Sequence, residues 1–386
     1  MREEFDLKKA SIYLNAGTHS ICPRQVRDAV AAYQREYEDN PTARLMAVWP
    51  RVWKVQKELA AFFQASPQDL FLRPNVTAAL NDFIQGLSLP KGGEIAHSEL
   101  EYGAIVNACR FRAQRDGRGL RELELPKEPL TARALVQALV SQLKPKTSLL
   151  VVSHVMTGTG LVTPLAELAA ETRRRGVFLL VDGAHAAGAL PLSFKELDDV
   201  DAYAGNLHKW MLGPKGTGFG WLAPRHQERL SPLTAGWATY SRPEYFGEFG
   251  GGSSFAERMA MQGCIDFSPF LAIHETLEFW RRLGAENIRN RIHWLQFSAE
   301  LEMKRRGAWR VLSPPDGPLR GPLLTFELPE RLQKRAHGLQ LRLWRDHALQ
   351  VSLPLVRGRL VLRLSPHIHN SDEDIERGAQ ILADCA

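Results

Sequence analysis

The sequence predicts an α/β protein, with a large domain built on a mostly parallel sheet between helices and a smaller α+β C-terminal domain. Two observations predict this fold class. Between residues 132 and 209 helical and strand patterns alternate, and each strand is a nearly continuous apolar run, as in parallel strands buried on both faces. After residue 258 a long helical stretch is followed by three closely spaced strands. We therefore place the large domain at residues 20–265 and the small domain at residues 1–19 and 266–386.

The N-terminal part of the chain is predicted to begin with helices. Residues 23–64 are expected to be helical, because Pro23 suits a helix start and apolar residues follow at helical spacing. The stretch DLFLRPNVTAALNDFIQGL predicts a short strand, a turn and a helix. GGEIAHSELEY predicts a strand and a loop, and GAIVNACRFRAQRDG a helix that ends at Gly117.

The rest of the chain is divided by the same patterns. The alternating elements are the helix ARALVQALVSQL, the strand TSLLVVSHV, the helix LAELAAETRRRG and the strands VFLLVDGAH and DAYAGNLHK. Residues 258–306 are predicted to be mostly helical, and GPLLTFELP, VSLPLV and RLVLRLSPHI to be strands. A last helix, N-capped by Ser371, is expected to reach Ala383.

Composition excludes several classes of function. The formal net charge of +6 is scattered, and the densest basic runs, 173–175 and 304–306, come at predicted helix ends, where cations complement the helix dipole. We therefore expect no nucleic-acid partner. The apolar runs are too short to span a bilayer, so no membrane association is expected. Four widely separated cysteines without a C-x-x-C motif, and no signal-peptide pattern, predict a cytoplasmic protein with reduced thiols.

Polar residues follow three predicted strands at the point where each strand ends. Asp182 ends one strand and His185 follows it, His154 and Thr157 follow a second, and Lys209 follows a third. Ligands of open α/β sheets bind outside the carboxyl ends of the strands. Asp182 and Lys209 are therefore expected to face one crevice. A buried ion pair between them would not explain the surrounding glycines and histidines.

A fourth stretch, FLRPNVTAALN, has the pattern of a phosphate site. The strand breaks at Pro74, and Val76 and Thr77 begin a helix whose free N–H groups can bind a phosphate. An ordinary asparagine cap at Asn75 is the alternative. A lysine amine, a buried aspartate and a phosphate cradle together describe a site for pyridoxal phosphate, in which the lysine forms a Schiff base and the aspartate keeps the ring nitrogen protonated.

Four motifs carry a resemblance to a known family. LVDGAHAAGALPL is followed by GNLHKWMLGPKGTGF, with IYLNAGTHSICPRQV near the start and LRLSPHIHNSDEDI near the end. Over nearly its whole length the sequence resembles the class V aminotransferases of the fold-type I pyridoxal-phosphate enzymes. The HKW and DGAHA forms are most similar to the isopenicillin N epimerase-like branch. The resemblance implies a homodimer with sites at the interface.

The resemblance also implies a set of cofactor-binding residues. Lys209 matches the Schiff-base lysine, Asp182 the partner of the ring nitrogen, and His185 the residue near the ring hydroxyl. Thr157 stands where many relatives have an asparagine that touches this hydroxyl. The phosphate would be bound by Val76, Thr77, Asn206 and His208.

The remaining implied residues concern the substrate and the partner subunit. Tyr102 matches the residue that stacks on the cofactor and is also a possible second acid. Arg363 matches the arginine that grips a substrate α-carboxylate, and Asn15 falls in a segment that lines the substrate pocket. Gly252 and Ser253 are the best match to the pair that reaches the partner's phosphate. No metal is expected, because the H-x-H of His367 and His369 has no third ligand in view.

The reaction is less constrained than the cofactor. The branch resemblance favours epimerisation at Cα of an amino acid or an amino-acid-derived substrate, and an aminotransferase remains open. A cysteine desulfurase would carry a nucleophilic cysteine shortly before the substrate arginine, and residues 340–362 contain none. Direct β-elimination by a C–S lyase remains open. A nicotinamide-dependent dehydrogenase is disfavoured, because GPKGTGFG lacks the G-x-G-x-x-G spacing.

Overall fold

The computed structural model describes residues 1–127, 131–240, 249–260, 263–307, 309–334 and 336–385. The strands are β1 (Ile12–Tyr13), β2 (Leu70–Arg73), β3 (Glu94–Ser98), β4 (Gly119–Leu123), β5 (Thr147–Ser153), β6 (Phe178–Asp182), β7 (Ala202–Asn206), β8 (Gly218–Leu222), β9 (Leu324–Glu327), β10 (Leu349–Gln350), β11 (Leu355–Val356) and β12 (Arg359–Leu364).

A seven-stranded sheet forms the centre of the molecule. Its strand order is β2-β8-β7-β6-β5-β3-β4, and β8 runs antiparallel to both of its neighbours while the other neighbouring strands pair in parallel. The predicted mostly parallel sheet is confirmed. Three further strands form an antiparallel sheet in the order β11-β12-β9, and β1 pairs in parallel with β10.

The α-helices agree in large part with the sequence patterns. They span Arg24–Asp39, Pro41–Phe62, Val76–Gly86, Gly103–Asp116, Ala132–Ser141, Leu165–Arg174, Ser254–Ala260, Ser268–Leu271, Ile273–Leu283, Ala285–Arg306, Glu330–Gln333, Leu339–His347 and Asp372–Cys385. None of the helices in the described ranges combines the length and the apolar content that a membrane crossing requires.

Local signals explain where several helices begin and end. The helical region predicted at 23–64 is two helices, because the Asn40 side chain caps a new helix at the Ala43 N–H and Pro41 follows it directly. Gly117 ends the helix Gly103–Asp116 at φ 62°, as predicted. The Ser371 hydroxyl accepts the Asp374 N–H at the start of the last helix, although that helix continues to Cys385.

Both faces of the central sheet are buried, and alternate residues of each strand enter different cores. In β5, Leu150 and Val152 belong to one apolar cluster, whereas Leu149 and Val151 belong to another on the opposite face. This is why β5, β6 and β7 read as continuous apolar runs in the sequence.

A third apolar cluster joins the two ends of the chain. It combines Ile12 and Leu14 with residues of β9, β12, the helix Ala285–Arg306 and the last helix. The pairing of Ile12 with Leu349 ties the N-terminal segment to this cluster. The exact domain bounds of 20–265 remain a prediction.

Candidate active site

A cavity of about 340 Å³ opens at the carboxyl ends of the central strands, a size within the usual range for small-molecule sites. It is lined by Thr18, His19, Pro74, Asn75, Val76, Thr77, Tyr102, Ser153, Val155, Thr157, Asp182, Ala184, His185, Asn206, His208, Lys209 and Gly216. The structure thus brings together the residues that follow β2, β5, β6 and β7. Asn15, Arg363, Gly252 and Ser253 are not part of this lining.

Lys209 and Asp182 both face the cavity. Burial lowers the pKa of Lys209 to about 8, against an attraction from Asp182 that raises it. Burial raises the pKa of Asp182, whose Oδ1 accepts the Ala184 N–H at 2.9 Å. Within the described ranges no Lys, Arg or His forms a salt bridge with Asp182, so a buried ion pair does not account for the two residues. The Asp182 carboxylate is available for a cationic group in the cavity.

The start of the helix Val76–Gly86 forms one end of the cavity. The Asn75 side chain accepts the Ala78 N–H at 2.9 Å, so the predicted asparagine cap is present. The Val76 N–H donates to Asn206 Oδ1 at 2.9 Å, which ties the helix start to the end of β7. The Thr77 side chain lines the cavity beside them. The helix dipole and the side chains of Thr77 and Asn206 make this end suited to an anion.

His208 lies at the same end of the cavity. Its Nδ1 is 3.1 Å from the Thr217 carbonyl oxygen, so Nδ1 carries a hydrogen and donates it. Burial lowers the pKa of His208 to about 4, which keeps the ring neutral. His19 packs edge-on against it, with ring centroids 4.8 Å apart.

His185 lies between Lys209 and Thr157, the residue that follows strand β5. Its Nε2 is 3.0 Å from Thr157 Oγ1 and 3.5 Å from Lys209 Nζ. Its Nδ1 is 3.4 Å from the indole Nε1 of Trp210. Burial, together with the positive charges of Lys209 and Arg363, holds the pKa of His185 well below its usual value.

Arg363 lies on β12 and reaches the cavity through two threonines. Its Nη1 donates to Thr157 Oγ1 at 2.9 Å and to the Thr157 carbonyl at 3.1 Å, and its Nη2 donates to Thr18 Oγ1 at 3.0 Å. Its Nε is buried and has no hydrogen-bond partner among the described residues. Asn15 Oδ1 in turn accepts the Thr18 hydroxyl at 2.9 Å, so Asn15 contacts the lining rather than the cavity.

Tyr102 is 54% exposed at the cavity rim and immediately precedes the helix Gly103–Asp116. Ser253 lies outside the cavity lining. Its hydroxyl caps the short helix Ser254–Ala260 by accepting the Ala256 N–H at 3.2 Å. The predicted contact of Gly252 and Ser253 with a second subunit remains a prediction.

The sequence interpretation missed Thr18, His19 and Ser153. Thr18 and His19 follow Asn15 closely in the sequence, and this pair of polar residues was the available signal. Ser153 ends β5 and directly precedes His154, the residue that the sequence pattern indicated. His154 is not part of the cavity lining, and its Nδ1 is 2.9 Å from the Tyr203 hydroxyl.

The sheet, the lysine and the aspartate together define an enzyme of the fold-type I pyridoxal-phosphate class. The chain belongs to the aminotransferase class-V family, whose family model matches residues 12–377. This confirms the family predicted from the sequence, and with it the dependence of that family on pyridoxal phosphate.

Individual relatives resemble the chain over almost its full length. It is 33% identical to isopenicillin N epimerase of Streptomyces clavuligerus, covering 96% of this chain and 94% of the relative. A structure of a C-DES mutant with glycine covalently linked to its pyridoxal-phosphate cofactor has a TM-score of 0.87 at 25% identity, covering 100% and 99% of the two chains. A complex of the cystine C–S lyase C-DES with cysteine persulfide has a TM-score of 0.84 at 26% identity, covering 97% and 98%.

Proposed function

We propose that this pyridoxal-phosphate enzyme epimerises an amino acid or an amino-acid-derived substrate at Cα. The observation that carries the proposal is the Lys209 amine, which faces the cavity beside an Asp182 carboxylate that forms no salt bridge within the described ranges. The similarity to isopenicillin N epimerase, at 33% identity over 96% of the chain, favours epimerisation over other reactions at Cα.

The cavity residues fit the cofactor. Lys209 would hold it covalently, Asp182 would pair with its ring nitrogen, and the lining at Val76, Thr77, Asn206 and His208 would bind its phosphate. The buried Asp182 carboxyl, which forms no salt bridge among the described residues, supports this fit, because its ionised form needs a cationic partner. When bound, pyridoxal phosphate supplies a ring that accepts the electron pair left when the Cα proton departs.

Lys209 is proposed to take the Cα proton once the amine of the incoming substrate has displaced it from the cofactor, because the lysine is a base only as a free amine. With a pKa of about 8, roughly a tenth of its amine is unprotonated at pH 7, far more than for an ordinary lysine. Epimerisation also needs a proton delivered from another direction. Tyr102, on the cavity rim, carries a hydroxyl that can donate it, and the alternative is that Tyr102 only stacks on the cofactor.

Arg363 is proposed to bind the substrate carboxylate. A guanidinium offers a planar fork of donors, and the buried Nε of Arg363 has no hydrogen-bond partner in the part of the chain that the structure describes. A carboxylate that approached between Thr18 and Thr157 could accept from this nitrogen and replace one of the threonine contacts. Asn15 would support this arrangement by holding Thr18.

The working assembly is proposed to be a homodimer in the cytoplasm. Gly252 and Ser253 lie outside the cavity lining of their own chain, as expected of residues that would act on the cavity of a second copy. The cysteines of the described residues are unpaired, which suits a reducing compartment.

The proposal is tested by incubating single-enantiomer amino acids with the holoenzyme in deuterated water without a keto acid. We expect deuterium at Cα together with inversion. Asp182→Asn should keep the cofactor but lose most of the exchange, on the order of 100-fold or more, because the ring nitrogen loses its partner. Deuterium with full retention, and turnover only after a keto acid is added, would identify an aminotransferase instead.

A second candidate is a C–S lyase, favoured by the structural similarity to the cystine lyase C-DES. The same incubation with cystine and cysteine separates it from the epimerase, because a lyase releases a sulfur product and an epimerase does not.

A further inference from the structure

Trp210, directly after Lys209, is a fully buried residue that the proposed function does not use. Its indole Nε1 is 3.4 Å from His185 Nδ1. An indole N–H can donate a hydrogen bond but cannot accept one. The Nδ1 of His185 is therefore the acceptor, and it carries no hydrogen.

The position of the other hydrogen on His185 follows. Its pKa lies well below the usual value, with Lys209 and Arg363 as the charged groups that face it, so the ring is neutral. A neutral imidazole with an acceptor Nδ1 has its hydrogen on Nε2. His185 Nε2 is 3.0 Å from Thr157 Oγ1 and donates to it, and the Lys209 amine, 3.5 Å from the same nitrogen, makes only a longer contact.

The hydroxyl of Thr157 thus receives two hydrogen bonds. One comes from His185, and the other from Nη1 of Arg363 at 2.9 Å, a group that can only donate. Two donors occupy the acceptor positions of the oxygen, so its own hydrogen must point elsewhere. Thr157 lines the cavity, which gives that hydrogen an outlet towards a bound ligand.

Trp210 is firmly held in this position. Its ring stacks on His367, with centroids 5.7 Å apart and planes 26° apart, and its carbonyl accepts from His367 Nε2 at 2.9 Å. His367 Nδ1 accepts the Ile368 N–H at 2.8 Å, so Nε2 of His367 carries the hydrogen. Gly188 allows the backbone of Trp210 to pack closely against it, because a Cβ at Gly188 would lie 2.9 Å from the Trp210 carbonyl carbon.

We propose that Trp210 is a positioning residue that fixes the His185 tautomer and thereby makes the Thr157 hydroxyl a hydrogen-bond donor to the cofactor-binding cavity. The inference rests on the proposed function in so far as the acceptor is the bound cofactor. Without the indole N–H, His185 can carry its hydrogen on Nδ1. Its Nε2 then accepts the Thr157 hydroxyl, which turns away from the cavity.

The first test is a pH titration of the visible absorbance of the holoenzyme in four variants: Trp210→Phe, Thr157→Val, their double variant and Trp280→Phe. Trp280 is the matched control, because it is also fully buried and its Nε1 donates to the Met211 carbonyl at 2.7 Å. Trp210→Phe and Thr157→Val should each raise the apparent pKa of the absorbance change by roughly one unit. In both variants the deprotonated cofactor loses the hydrogen bond donated by the Thr157 hydroxyl.

The double variant distinguishes this relay from a general disturbance. Without a Thr157 hydroxyl, the loss of the indole N–H should have no further effect, so the shift of the double variant should equal that of Thr157→Val. The proposal would be overturned if the pKa shifts of the two single variants added up in the double variant. It would also be overturned if Trp210→Phe titrated with the same apparent pKa as Trp280→Phe and wild type.

A second measurement is independent of cofactor chemistry. The ¹⁵N shifts of histidine in the full-length protein, with His185 assigned from the signals lost in His185→Gln, should show hydrogen on Nε2 in wild type and a change of tautomer in Trp210→Phe. Hydrogen on Nδ1 in wild type contradicts the proposal. A wild-type protein that takes up no cofactor would instead contradict the proposed function, and the tautomer would still decide the role of Trp210.

Discussion

Lys209 is an amine whose protonation opposes folding at neutral pH. The unfolded chain holds this proton up to the ordinary lysine pKa of 10.5, whereas the folded protein releases it at about pH 8. Between these values the unfolded state binds more protons, so stability rises with pH. Below pH 8 the full cost of the buried charge remains.

We therefore expect Lys209→Met to raise the free energy of unfolding of the cofactor-free protein at pH 7 by roughly 2–3 kcal/mol. The difference from wild type should shrink as the pH rises from 8 towards 10, which urea unfolding at several pH values can measure. Lys215→Met is the control, since Lys215 Nζ donates to the Ser20 carbonyl and its removal forfeits that bond. A Lys209→Met protein less stable than wild type at pH 7 would contradict the expected role of burial.

The site residues that could be predicted from the sequence are those next to the apolar run of a buried strand. Asp182 and Lys209 end or follow uninterrupted apolar strands, and parallel strands necessarily bring their carboxyl ends to one edge. The polar pair Thr18–His19 was a weak local signal, whereas the hydrogen bond between Thr18 and Arg363 joins residues 345 positions apart in the chain. No local pattern records such a contact.

At the scale of elements, the loop that carries Lys209 packs against the segment that follows β6. Gly188 in this segment has φ +90°, and a Cβ would meet the backbone at Trp210 and Met211 at 2.9–3.0 Å. This close approach needs a glycine both for its backbone conformation and for its lack of a side chain.

Gly188→Ala is expected to lower the free energy of unfolding by roughly 2–4 kcal/mol and to weaken cofactor retention, because it adds a clash to the strain of a positive φ. Gly92→Ala isolates the strain, since Gly92 has φ +69° with nothing within 4 Å of the added Cβ. Its cost should be about 1 kcal/mol with normal cofactor retention. Urea unfolding and the bound-cofactor absorbance measure both effects, and equal losses in the two variants would rule out the close contact.

The elements that the sequence did not predict are those that depend on tertiary contacts. Strand β8 has the sequence GFGWL, whose glycines are typical of turns, yet a Cβ at Gly220 would lie 2.3 Å from the Phe71 ring. Strand β4 lies at the sheet edge and is only partly buried, so it lacks a continuous apolar run. The two-residue strands β1 and β10 are too short to produce a pattern.

At the scale of the whole molecule, two copies are proposed to complete each other's cavities. Mixing inactive Lys209→Ala protein with a Ser253→Ala variant should restore part of the activity, because a mixed dimer then has one cavity with an intact lysine and an intact partner segment. Activity assays after partial unfolding and joint refolding, with each variant refolded alone as the control, measure this recovery. The absence of recovery, despite mixed dimers on a native gel, would argue against a shared cavity.

The contact between Thr18 and Arg363 also has a consequence for biosynthesis. In our proposal, the substrate carboxylate binds at a wall of the cavity formed by Thr18 and Arg363. These two residues are 345 positions apart, so the ribosome adds one early and the other late in synthesis. At about 5–20 residues per second, a ribosome takes roughly 20–70 s to synthesise the chain between them. The strand ends with Asp182 and Lys209 emerge well before Arg363. A nascent chain would therefore expose the lysine amine before the wall that selects its substrate exists.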